Sequence, residues 1–183
     1  MAYDLKNVFY LDTTATITAA TGNGGSAQLD LSAYIDPIAR GRQKGTGLAI
    51  YKAHFMFNDD AQSDPIDPAE VGVTSFGVVA GAGLGDQATG AILIGDDTLT
   101  AGNQLLVAGG SYYAPGAAAT TGMNVDIMPS EKVPYVVVRD NVCLVYSVKD
   151  NFTNTSLLSV RLECAQVSLD QATLNQLLRT QTV

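Results

Sequence analysis

Short runs of β-branched and aromatic residues, divided by Gly, Asn, Asp and Pro, recur along the chain, with apolar and polar positions often alternating at the period of a half-buried strand. The pattern predicts a first pair of strands over Leu5 to Leu11 and Thr14 to Ala20, then a glycine-rich turn from Thr21 to Ser26. Ala27 to Ile35 reads as a strand stopped by Asp36-Pro37, and Gly41 to Gly47 as a loop. Leu48 to Phe57 is the clearest strand, with Ala49, Tyr51, Ala53, Phe55 and Phe57 on one face and Leu48, Ile50, Lys52, His54 and Met56 on the other. Both faces are largely apolar, as expected of a strand covered on both sides or meeting a neighbouring molecule.

Asn58 to Glu70 follows as an acidic loop with Pro65 and Pro68, and Val71 to Ala80 resumes the strand pattern. Between Gly81 and Gly122 the glycine content leaves only Ala91 to Ile94 and Leu105 to Ala108 as strand candidates. Val133 to Arg139, Asp140-Asn141 and Val142 to Lys149 read as a hairpin with a two-residue turn. Leu157 to Val167 is a last long strand. The period then changes: Leu169, Ala172, Leu174, Leu177 and Leu178 recur at helical spacing, with Ser168 as N-cap and Gln171 three residues on.

Roughly eight to eleven strands, several long connections and one terminal helix predict an all-β, jelly-roll-like β-sandwich with a short C-terminal helix. The crossover helices of a parallel α/β sheet are missing, and no internal repeat is evident. The 183 residues suit a single domain spanning 1–183, long enough to bury about two thirds of its unfolded surface.

Charge narrows the function classes. The net charge is -8, and the ten Lys and Arg residues are scattered except for Arg40, Arg42 and Lys44, so sequence-independent binding to nucleic acid is not expected. Only 15% of residues are charged against a typical share of about 25%, as expected of a surface partly turned toward other subunits. The N-terminus from Met1 to Lys6 shows no secretory leader, and no apolar stretch approaches the length of a spanning helix. Synthesis in the cytoplasm is the expectation, with Cys143 and Cys164 reduced and buried.

Candidate chemistry is sparse. The single histidine, His54, lies mid-strand, and any Ser-His-Asp triad or Cys-His pair would need it. No nucleophile-elbow motif occurs, Gly41 to Gly47 lacks the ending of a phosphate loop, and Gly81 to Gly85 does not match a dinucleotide fingerprint. The expectation is a non-enzyme without cofactor. One constellation of carboxylates, Asp59, Asp60, Asp64, Asp67 and Glu70, has the oxygen ligands for Ca²⁺ but neither the alternate-Asp pattern nor the central Gly of an EF-hand loop. A solvated acidic loop is the plainer reading. Asn151-Phe152-Thr153 and Asn154-Thr155-Ser156 match the glycosylation acceptor pattern and read as a polar turn.

An acidic, catalytically blank β-sandwich with neutral glycine-rich loops resembles, in length and strand density, the single jelly-roll major capsid proteins of tailless icosahedral viruses. Within that group it looks most like the smaller of the two capsid proteins of membrane-containing viruses of archaea and thermophilic bacteria. The resemblance implies a structural subunit of the virion that self-assembles into capsomers, with a second capsid protein in the lattice and an internal membrane beneath. The two-sided strand Leu48 to Phe57 would then be covered by neighbours, and the C-terminal helix would dock on one or close the end of the sandwich. The alternative is a β-sandwich module that binds a ligand or carbohydrate, with Ca²⁺ held by the acidic loop.

Overall fold

The computed structural model describes residues 8–19, 24–36, 44–60, 71–81, 85–86, 91–92, 99–115 and 122–181. They form eleven strands and one helix: β1 (Val8–Ile17), β2 (Gly25–Asp30), β3 (Lys44–Asp59), β4 (Val71–Ala80), β5 (Gly85–Asp86), β6 (Ala91–Ile92), β7 (Leu106–Pro115), β8 (Gly122–Ile127), β9 (Tyr135–Val137), β10 (Asn141–Asp150), β11 (Ser156–Asp170) and α1 (Gln171–Gln181). One sheet has the order β1-β11-β3-β9, a second β2-β10-β4-β7-β8, and β5 and β6 pair as a small ribbon. All pairings are antiparallel.

The connectivity is that of a jelly roll. The first arm of the chain pairs with the second in nested fashion: β1 with β11, β2 with β10, β3 with β9 and β4 with β7. A long hairpin folded in this way distributes its strands over two sheets. The sheets close on one core. Ile17, Leu158, Leu162, Leu48, Ile50 and Phe55 from the first sheet meet Phe76, Val78, Leu144, Tyr112 and Ala114 from the second. An aromatic ladder crosses the gap: Phe55 and Phe57 lie 4.7 and 5.2 Å from Phe76, Phe57 stacks on Tyr112 at 4.3 Å, and Tyr112 continues to Phe152 at 6.0 Å.

Several expected elements are redrawn. The pair expected over Leu5 to Leu11 and Thr14 to Ala20 is, within the described residues, one strand, because Asp12 and Thr13 pair straight across to Arg161 and Val160. β2 ends at Asp30, where the carboxylate accepts the N–H of Ser32 at 2.8 Å and turns the chain before Ile35. Strand β3 begins at Lys44, inside the expected loop. Gly45 and Gly47 belong to it because Leu174 and Leu169 occupy the space that their side chains would fill. β7 runs through Gly109 and Gly110 to Pro115, and β8 was not expected at all.

The expected hairpin over Val133 to Lys149 does not form. β9 pairs with β3 in the first sheet, whereas β10 pairs with β2 and β4 in the second. Asp140-Asn141 is a corner between sheets, tied down by Leu31 N–H on the Asp140 carbonyl at 2.6 Å and Gly81 N–H on the Asn141 carbonyl at 2.8 Å. Gly81 has φ near +90°, a backbone state in which a side chain would be strained. The turn at Asn151 to Ser156 connects β10 to β11 as expected, but its Phe152 is buried in the core.

Helix α1 starts later than its sequence signal. The cap is Asp170, whose carboxylate accepts Thr173 N–H at 2.7 Å, while Ser168 is still paired in β11 opposite Thr46. The helix packs on its own chain. Leu174 is fully buried beside Gly45, and the side-chain amide of Gln181 donates to the Val136 carbonyl at 2.6 Å and accepts Val138 N–H at 3.1 Å. β9 is the edge of its sheet, so this amide stands where the next strand's peptide group would be. No helix among the described residues is long and apolar enough to cross a membrane.

Candidate functional site

The two-sided apolarity of β3 has a local cause. Against β11, Lys52 pairs with Glu163 and Ile50 with the next residue, Cys164, leaving Tyr51 as a bulge. A one-residue insertion reverses the facing of everything beyond it. Leu48 and Ile50 therefore point inward on one side of the bulge and Ala53, Phe55 and Phe57 on the other. The faces expected for Leu48 to Phe57 hold only past Tyr51. The outward positions there are Lys52, His54 and Met56, all exposed.

This register builds a regular grid on the outer face of β1, β11 and β3. Tyr10, Glu163 and Lys52 form one row across the strands, and Asp12, Arg161 and His54 the next. Thr14, Ser159 and Met56 follow, then Thr16, Leu157 and Asn58. His54 Nε2 lies 2.7 Å from Glu163 Oε1, and the Thr14 and Ser159 hydroxyls meet at 2.9 Å. Tyr10 and Met56 are each 59% exposed.

The remaining outer surfaces are partly closed by the chain itself. On the second sheet Cys143, Val145, Val79, Leu105 and Leu106 form a smaller apolar cluster against Leu99 and Ile127. Beyond it the outer face turns polar, with Ser147, Ser75, Ser111 and Asn124 in one row. At the α1 end of the first sheet Leu174 covers Gly45.

A groove of about 520 Å³ opens beside the turn after β2, lined by Ser32, Tyr34, Ile35, Asp36, Thr46 and Gln166 among others. Its lining is already engaged: Asp36 and Thr46 exchange both backbone hydrogen bonds, Gln166 donates to the Tyr34 carbonyl at 2.9 Å, and Tyr34 stacks on Phe9 at 5.0 Å.

The residues singled out for chemistry lie apart. His54 is on the outer face of β3, whereas Cys164 is in the main core and Cys143 in the smaller cluster of the other sheet. Both cysteines are free and buried. Burial pushes the Cys143 thiol up to about 11 and, helped by the Glu163 charge, the Cys164 thiol up to about 12. The Tyr135 phenol, which donates to the Gln104 carbonyl at 2.9 Å, is likewise raised to about 12 by burial, against a weaker opposite pull from Arg139.

Of the five candidate Ca²⁺ ligands, Asp59 is the last residue of β3, opposite Ser156, and Asp60 follows it with its N–H on the Thr155 carbonyl at 3.1 Å. Asp64, Asp67 and Glu70 lie outside the described residues, as do Arg40 and Arg42 of the basic loop. Among the described residues no three His, Cys, Asp or Glu side chains come together as a metal site.

No protein-family model matches the chain, and no curated protein matches it either.

Proposed function

We propose that this chain is a structural subunit, a major capsid protein that self-assembles into capsomers of an icosahedral viral shell. The observation that carries the reading is the nested pairing of β1 to β4 with β11, β10, β9 and β7 in two packed sheets, combined with a wide outer face on β1, β11 and β3 that no other described element covers past the bulge. A sandwich with a regular outer face suits repeated contact with identical neighbours, since closed assemblies reuse the same patch on every copy. A companion capsid protein would share the lattice, an internal membrane would lie beneath it, and the mature location would be the virion. Neither a nucleophile nor a cofactor is part of this role.

The test is the mass of the full chain in solution, alone and co-expressed with proteins encoded beside it, followed by electron microscopy of any assemblies. Oligomers that grow with concentration and build regular shells support the reading. A monomer under every condition defeats it. The groove at Tyr34, Asp36 and Gln166 favours the second reading, a module for a small polar ligand such as a sugar. Saturable binding of an oligosaccharide, lost in the Asp36→Ala variant of a strictly monomeric protein, would establish that role instead.

A further inference from the structure

We infer that two copies of this chain meet face to face through the outer grid of β1, β11 and β3, with Glu163 of each copy paired to Arg161 of the other. The inference rests on the self-assembly reading and names its contact.

Charge selects this face. The chain carries -8 overall, so copies approaching at random repel. The grid offsets that repulsion locally, because Asp12 and Glu163 are balanced by Lys52 and Arg161 in two adjacent rows, with His54 beside them. All of the net negative charge lies elsewhere. A face with equal numbers of both signs has no net sign with which to attract an oppositely charged partner, but it can match itself. Lattice neighbours or ligands of another kind would more readily use the acidic remainder.

Geometry selects the register. Rows are two residues apart, about 6.8 Å, and strands about 4.8 Å apart. A two-fold axis in the plane of the contact, running across the strands between the two charged rows, places each row on the other. Glu163 then faces Arg161 twice, Tyr10 faces Asp12 twice with its hydroxyl able to donate to the carboxylate, and Lys52 faces His54. An axis along β11 would instead set Glu163 on Glu163 and Arg161 on Arg161, a like-charge arrangement that specific interfaces avoid. The exposed Tyr10 ring adds apolar surface at one end of its row.

Size sets the strength. The two charged rows on three strands overlap over about 200 Å², a quarter of the roughly 800 Å² per partner of a stable pairwise interface. The contact is therefore weak alone and suited to a lattice, where many act together.

The experiment is sedimentation equilibrium over a concentration series on the full chain and on Arg161→Glu, Glu163→Arg and the double exchange, with circular dichroism as the check that each is folded. Each single reversal is expected to weaken association about tenfold or more, and the double exchange to restore it to within about threefold. Single reversals that associate like the parent chain would overturn the contact while leaving self-assembly standing. A parent chain that never associates would remove both. Should a reversal unfold the protein, chains carrying Tyr10→Cys mixed with chains carrying Asp12→Cys give an independent readout. The expected register cross-links them as heterodimers in preference to either homodimer, and the reverse preference would refute it. The buried Cys143 and Cys164 stay out of that reaction.

Discussion

Phe76 is fully buried and touches aromatic rings from the facing sheet on two sides, so it joins the halves of the sandwich. Phe76→Ala is expected to cost about 3–5 kcal/mol, measured by denaturant unfolding. A loss under 1 kcal/mol would mean that the ladder does not hold the sheets together. The two thiols give a pH signature. Their ordinary value is 9.0, and burial holds them protonated to about 11 and 12 in the folded chain. Above pH 9 the unfolded chain therefore loses protons that the folded chain keeps, so their contribution to stability is complete below pH 9 and is lost as pH rises through about 11 and 12. The melting temperature should fall across that window, and more shallowly in the Cys143→Ala, Cys164→Ala double variant. An identical slope in both proteins would contradict the assignment. Their burial could be read from the apolar runs around them. The exposed pairing of His54 with Glu163 could not, because these residues are 109 apart in sequence and only the register of β3 on β11 brings them together.

At the scale of elements, the C-terminal helix is the clearest case of a signal read correctly in kind and incompletely in place. Its leucine spacing shows a helix, but nothing in the sequence shows that Gln181 fills the open edge of β9. Gln181→Ala leaves the buried Val138 N–H unpaired and should cost about 1–3 kcal/mol, with faster hydrogen exchange at Val138 as the local readout. Unchanged exchange there would show that the edge is closed by other means. The cap is pH-sensitive too. Hydrogen bonding from Thr173 lowers the Asp170 carboxyl below its ordinary 3.8, so its support of the helix is present above that value and is lost as pH falls. Asp170→Ala should lower helicity near neutral pH and abolish that dependence.

The same limits explain the other redrawn elements. Strand existence followed from β-branched and aromatic runs, and Val71 to Ala80 was placed to the residue. Partners were not legible, because a two-residue polar turn such as Asp140-Asn141 serves equally as a hairpin or as a corner between sheets. Nor was the bulge at Tyr51, which arises from pairing with a distant strand and makes a one-sided strand look two-sided. The outer grid was therefore visible only in fragments, as Lys52, His54 and Met56.

For the whole molecule, the contest is between net repulsion at long range and contact pairing at short range. The Debye length falls from about 30 Å at 0.01 M salt to about 8 Å at 0.15 M, so moderate salt screens the repulsion between whole subunits before it weakens pairs in contact. Association should therefore strengthen from 0.01 to 0.15 M, and strengthening only on dilution of salt would argue for attraction between opposite patches instead. The most direct measurement is sedimentation of the full chain over concentration at both salt levels, alone and with proteins encoded beside it. The expected result is reversible association into multiples of the 19.1 kDa chain, stronger at 0.15 M. A single 19.1 kDa species throughout would contradict a structural subunit built to assemble.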